Sequence, residues 1–238
     1  MIACGCTVCR SADRHDKRLR SSILVESAET TFVIDTGPDF RYQMLRIGQE
    51  QLDAVLFTHS HKDHTAGLDD IRAYNFFQQK DMPLYASEAT ARAIRNDFAY
   101  AFAEHKYPGV PAVTVHVIDE TPFMIGDIPV QPILVWHLKM PVYGFRMGNF
   151  TYITDANRIE PGQLEKIRGS RVLVLNALRH EPHISHFTLS EAREIVQDLQ
   201  VPQALFTHIS HQLGLHHEVN ATLPEGMRLA YDGLRITV

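Results

Sequence analysis

The run Thr58-His59-Ser60-His61-Lys62-Asp63-His64 follows directly on the apolar segment Ala54-Val55-Leu56-Phe57. A short strand that empties into a ligand-rich loop constrains the fold. Loops held by a rigid element fix their side chains and present them to a cleft. Three imidazoles and one carboxylate within positions 59–64 are too many for one catalytic metal, which takes about three protein ligands and keeps a place for water. The pattern H-x-H-x-D-H therefore implies two metals sharing one site.

Further short runs rich in β-formers read as strands: Ile23–Val25, Thr31–Ile34, Ile133–Trp136, Tyr152–Thr154, Val172–Leu175 and Ala204–Phe206. Helical patterns cover Ala66–Gln78, Ala89–Glu104 and Thr188–Leu199, the last opened by the capping box Thr188-x-x-Glu191. His105–Pro111, with its prolines and Gly109, reads as a surface connection. Early hairpins followed by strand–helix alternation place the chain in the α/β or α+β class. Ligand-type residues again stand at strand ends: His137, Asp155 and His208. Each alone is an ordinary hydrogen-bonded histidine or turn aspartate. Their conjunction with H-x-H-x-D-H marks one crevice at the edge of a sheet.

At 238 residues the chain is sized for one large domain, taken here as 1–238. Its net charge of −5 argues against a broad nucleic-acid surface. A small anionic substrate remains compatible, because metal charge dominates locally. No apolar stretch is long enough to span a bilayer and no signal-peptide pattern is present, so a soluble cytoplasmic protein is expected. The three cysteines, Cys4, Cys6 and Cys9, are odd in number and close-set, which fits metal binding better than a disulfide framework. They supply three corners of a tetrahedral zinc site, and the fourth is expected to be a histidine or cysteine.

With these motifs in place, the chain closely resembles the metallo-β-lactamase superfamily. The resemblance is greatest to the phosphoribosyl 1,2-cyclic phosphate phosphodiesterase-like (PhnP-like) branch, with the tRNA 3′-processing endonucleases more distant. The branch rests on C-G-C-x-x-C-R at Cys4–Arg10 and T-H-I-S-H at Thr207–His211. The resemblance implies an α+β fold, an αββα sandwich. It assigns His59, His61 and His137 to a first metal, Asp63, His64 and His208 to a second, and Asp155 as the bridge. Zn or Mn would suit these ligands. Two such cations, about 3.5–4 Å apart, clamp a phosphoryl group and supply hydroxide at neutral pH. His211 completes a structural Zn site with Cys4, Cys6 and Cys9. His186, ahead of the capping-box helix, matches a histidine that contacts phosphate and protonates the leaving oxygen, so His186 and Asp63 are the expected catalytic residues.

Other polar residues carry less. Asp35-Thr36-Gly37-Pro38 reads as a turn, and the resemblance adds a role for Asp35 behind the metal ligands. Asp69 and Asp70 read as a solvated face or helix-start charges, His180 and His183 as ordinary loop residues, and the pair His216-His217 equally as an exposed pair or as residues approaching the site from the C-terminal loop. Relatives begin with a strand before the cysteines, whereas this chain starts at Met1-Ile2-Ala3-Cys4. The usual first strand is therefore expected to be absent, which opens a sheet edge and leaves room for a homodimer. The expected activity is hydrolysis of a small cyclic or nucleotide-like phosphodiester. Hydrolysis of a thioester, lactone or other ester on the same scaffold is the alternative, with tRNA 3′-processing behind it.

Overall fold

The structure is a computed structural model describing residues 1–238. It divides into two compact units, Arg20–Val130 and Met1–Leu19 with Gln131–Val238. The chain opens with a one-turn helix, α1 (Thr7–Arg10), and the first strand begins at Ile23.

In the 20–130 unit, strands β1 (Ile23–Glu26), β2 (Thr31–Ile34), β3 (Ala54–Leu56), β4 (Met82–Ser87) and β5 (Val113–Ile118) form a sheet in that order. The β1–β2 pair is antiparallel and the rest are parallel. Helices α2 (Phe40–Ile47), α3 (Lys62–Thr65), α4 (Arg72–Gln78) and α5 (Glu88–Asp97) lie between the strands in sequence. Val33, Val55 and Leu84 from neighbouring strands are fully buried with Phe40, Leu68, Ile71 and Ile94 in one core. Because β2 and β3 are parallel, with Ile34 opposite Leu56, the residues after both strands emerge at the same sheet edge. Strand β6 (Phe123–Ile125) makes a hairpin with the start of β7 (Ile128–His137), turning through Gly126 at φ 55°.

The 1–19/131–238 unit holds the remainder of β7 and strands β8 (Met140–Met147), β9 (Phe150–Ile153), β10 (Arg158–Ile159), β11 (Val172–Asn176), β12 (Gln203–Thr207) and β13 (Met227–Leu229). Their order is β10-β7-β8-β9-β11-β12-β13. Strands β9, β11, β12 and β13 are mutually parallel, and β7–β8 and β8–β9 are antiparallel. Strands β7, β9, β11 and β12 therefore all end at one edge. Helices α6 (Pro161–Ile167), α7 (Leu189–Asp198) and α8 (His216–Ala221) complete the unit, whose core joins Ile133, Ile153, Leu173, Leu175, Ala192 and Phe206. The Thr188–Glu191 capping box forms as expected.

Two expected helices are shorter in the structure. The pattern over Ala66–Gln78 gives a 3-10 turn, Leu68–Ile71, before α4. A Cβ at Gly67 would lie 2.1 Å from the carbonyl oxygen of Gly37, so this stretch is shaped by a backbone contact. The pattern over Ala89–Glu104 stops at Asp97 and resumes as a 3-10 turn, Ala99–Ala101, with Phe98 and Phe102 both packed against the core. No helix is long and apolar enough to cross a membrane.

Candidate metal-binding sites

The sequence places ligand-type side chains where strands end, and in the 20–130 unit the chain folds them onto one another. His59 lies three residues beyond β3, His61 is the N-cap of α3, and Asp63 and His64 lie in its single turn. The His59 ring centroid is 4.7 Å from that of His61 and 4.3 Å from that of His64. Asp63 Oδ2 stands 3.8 Å from His64 Nε2 and 3.4 Å from Arg20 Nη1.

Behind these residues lies Asp35, wholly buried at the end of β2. Its Oδ2 accepts from His64 Nδ1 at 2.7 Å and from Thr58 Oγ1 at 2.8 Å, and its Oδ1 accepts from the Thr58 backbone N–H at 2.9 Å. Thr58 Oγ1 has one proton and gives it to Asp35. The 2.9 Å contact of Thr58 Oγ1 with His59 Nδ1 is therefore donated by the imidazole. Both histidines are thus held as the tautomer that carries its proton on Nδ1 and its lone pair on Nε2, the form a metal ligand requires. Burial pushes the Asp35 carboxyl up, against the pull of His64 and Thr58. The loop after β2 is stitched to α3 by Thr36 N–H to His64 O at 2.8 Å. A Cβ at Gly37 would meet Asp63 O at 2.3 Å, so glycine permits this approach.

Asp35→Asn removes the carboxylate that orients His64. Divalent metal affinity is expected to fall about 10–100-fold. Metal retained after graded chelation reads this, and retention equal to the native protein would reject the role.

In the other unit, His137 ends β7, Asp155 follows β9 and His208 follows β12. Asp155 Oδ1 is 3.2 Å from His208 Nε2 and accepts from Thr154 Oγ1 at 2.7 Å. His137 Nδ1 donates to the Ser185 carbonyl at 2.7 Å, which again leaves the lone pair on Nε2. Buried Asn176 bonds both the N–H and the C=O of Ala156, each at 2.9 Å, and so pins the chain just after Asp155. Asp155 and His208 have φ of 52° and 53°, as Asp35 has 66°. A non-glycine residue held there costs about 1–3 kcal/mol, and such strain gathers where a side chain must be aimed.

His186 is buried, with 8% of its surface exposed, and its Nδ1 has no hydrogen-bond partner. Its ring stacks on that of His208 at 4.8 Å and lies 4.5 Å from that of His137. A ligand atom of His186 lies within 4.8 Å of ligand atoms on Asp155 and His208. Burial, opposed by Asp155, pulls its pKa down to about 3, so the ring is neutral at neutral pH. Among the residues with lesser expectations, Asp69 pairs with Arg72 and Asp70 with Arg41 on the surface. His216 is buried at the start of α8 and stacks on His15.

Cys4, Cys6, Cys9 and His211 bring their ligand atoms within 4.8 Å of one another. His211 Nδ1 stands 3.5 Å from Cys4 Sγ and 3.4 Å from Cys6 Sγ. A tetrahedral ion with bonds of about 2.3 Å to sulfur and 2.0–2.1 Å to nitrogen requires an S–N edge of about 3.5 Å. The donor set fits zinc in type and spacing. The backbone N–H of Cys9, with His211, pulls the Cys6 thiol down to about 6, toward the thiolate that binds metal.

Sequence reading did not find Thr58, Asn176 or the Ser185 carbonyl. Thr58 and Asn176 carry a faint signal as polar residues closing apolar strands, and a backbone carbonyl carries none.

Known proteins similar to this chain place it in a family. Residues 30–209 match the family model of the beta-lactamase superfamily domain. An octanoyltransferase of Porphyromonas gingivalis is 36% identical over 240 residues, covering 100% of this chain but 48% of that protein. A ribonuclease Z of Mycolicibacterium gilvum is 27% identical over 191 residues, covering 69% of this chain and 65% of its own length. The chain thus spans about half to two thirds of these curated relatives. Among solved structures, a diphosphatase from the PhnP family superposes with a TM-score of 0.93 at 40% identity, covering 100% of this chain and 91% of that one. The chain belongs to the metallo-β-lactamase superfamily, has its fold, and falls in its PhnP-like branch.

Proposed function

We propose that the chain hydrolyses a phosphorus–oxygen bond in a small nucleotide-like substrate, either a phosphodiester or a diphosphate. The observation that carries this reading is His186, a buried neutral imidazole stacked on His208 beside Asp155. An alkoxide expelled in the reaction needs a proton, and His186 is placed to supply one. The likeness to a diphosphatase supports the same bond class.

The proposed metal ligands are His59, His61, Asp63, His64, His137, Asp155 and His208. Their tautomers and carboxylates fit two divalent ions, Zn or Mn. When bound, such ions supply positive charge to phosphoryl oxygens and lower the pKa of water to about 7. The chain's own contribution is aim. Asp35, Thr58 and the Ser185 carbonyl fix three imidazoles before any ligand arrives. His186 faces the substrate as a hydrogen-bond partner for a phosphoryl oxygen. An anionic substrate raises its pKa, so the ring takes up a proton from water as the substrate binds and passes it to the leaving oxygen.

Cys4, Cys6, Cys9 and His211 are proposed to hold a structural zinc. Cys6→Ser should remove about one equivalent of bound zinc. Losing a few kcal/mol of binding-coupled stability would lower the melting temperature by roughly 10 °C in a chain of this size. Unchanged zinc content would refute the assignment.

The overall reading is tested with metal-loaded protein on a ribose cyclic phosphate, a dinucleoside diphosphate, a thioester and a pre-tRNA. Turnover on either phosphate substrate supports it. Turnover confined to the thioester, or to the pre-tRNA, replaces it.

A further inference from the structure

The loop between β11 and α7 carries a feature that the ligand set does not use. Arg179 clamps this loop with three bonds: Nε to Glu181 O at 3.2 Å, Nη2 to Pro182 O at 2.9 Å, and Nη1 to Gln212 Oε1 at 2.8 Å. All three acceptors are neutral, so the guanidinium charge is uncompensated by any carboxylate. Such a cation, half-buried and fixed, favours a nearby anion.

The clamped segment presents His183. Its Nδ1 faces the Ser185 N–H at 3.4 Å and the Ser185 hydroxyl at 3.3 Å, so Nδ1 is the accepting nitrogen and Nε2 carries the proton. The same Ser185 gives its carbonyl to His137 at 2.7 Å. One residue therefore sets the tautomer of both rings. The His183 ring lies 5.2 Å from that of His186 and is half-buried, whereas His186 is buried and Ile184 between them is 72% exposed. His183 thus stands one step outward from the proposed proton donor, as a neutral N–H donor next to an unpaired cation. Burial and, after it, the Arg179 charge both push its pKa down.

We propose that His183 is a specificity-determining residue that donates a hydrogen bond from Nε2 to the second, unattacked phosphoryl group of a diphosphate substrate, with Arg179 supplying the charge. This rests on the phosphohydrolase reading above. Adjacent phosphoryl groups share one bridging oxygen, so their outer oxygens reach two neighbouring donors. A substrate with a single phosphorus would engage His186 and leave His183 to water.

The test is binding of inorganic pyrophosphate and of inorganic phosphate to metal-loaded protein, by calorimetry, in the native chain, His183→Ala and His183→Asn. Melting temperature and metal content are measured on each. The native chain is expected to prefer pyrophosphate, and His183→Ala to lose about 10–100-fold of that preference, the worth of one hydrogen bond to a charged group. His183→Asn, which keeps an N–H donor, should recover part of it. Equal weakening of both anions, an unchanged preference in His183→Ala, or no preference in the native chain would each overturn the proposal. Because binding is read apart from turnover, a protein inactive on every phosphate substrate would fail the phosphohydrolase reading without deciding this one.

Discussion

Replacing Asp155 is expected to remove active-site metal and turnover together. Asp155 is the carboxylate on which its unit's arrangement converges: Thr154 Oγ1 donates to it, His208 Nε2 lies 3.2 Å away, and Asn176 pins the next residue. Its backbone sits at φ 52°. Three substitutions separate charge from backbone. Asp155→Ala and Asp155→Asn both lose the anion, and asparagine tolerates this conformation better than alanine. Asp155→Gly loses the anion but relieves the strain, so it should melt as high as the native chain or higher in metal-free form. All three should bind less metal and turn over below detection. Full turnover by any of them would remove Asp155 from the ligand set.

His186→Ala is expected to have the opposite signature, with metal retained and turnover reduced by about 10²–10⁴. The ring's Nδ1 is unpartnered inside the protein, so its removal breaks no hydrogen bond that orients a metal ligand. Desolvation keeps it neutral until an anion binds. The loss should grow with the basicity of the leaving group and shrink when that group leaves as a stable anion. A uniform loss across leaving groups would make His186 a positioning residue. A native rate with a basic leaving group would exclude it from the reaction.

The candidate ligands were more legible in the sequence than the fold around them. Polar residues that end short β-rich runs located His59, His137, Asp155 and His208, because an apolar strand followed by a ligand is a local pattern. The Cys4–Cys9 cluster was equally legible. Its partner His211, some two hundred residues away, came only through family resemblance. Strands β4 and β8 were not anticipated: Pro83 sits inside β4, and Pro141 and Gly144 interrupt β8. Tertiary pairing overrides these local signals, as Pro83 opposite Thr114 and Gly144 opposite Ile133 show. Helix α5 was read too long because its apolar spacing continues through Phe98 and Phe102, which pack on the core without helical backbone. His183 was read as an ordinary loop residue. Only the Arg179 clamp, formed by backbone carbonyls and Gln212, shows that it is posed. Thr58 and Asn176 were missed for a related reason, since their partners are fixed by folding and not by spacing.

The most direct test of the account is turnover of a dinucleoside diphosphate and a ribose cyclic phosphate as metal is returned to chelated protein. The account predicts no activity without metal and restoration by Zn or Mn as about two ions per chain bind beyond the structural zinc. Native protein that binds its full metal complement yet cleaves neither phosphate substrate, while hydrolysing a thioester or lactone, would contradict it.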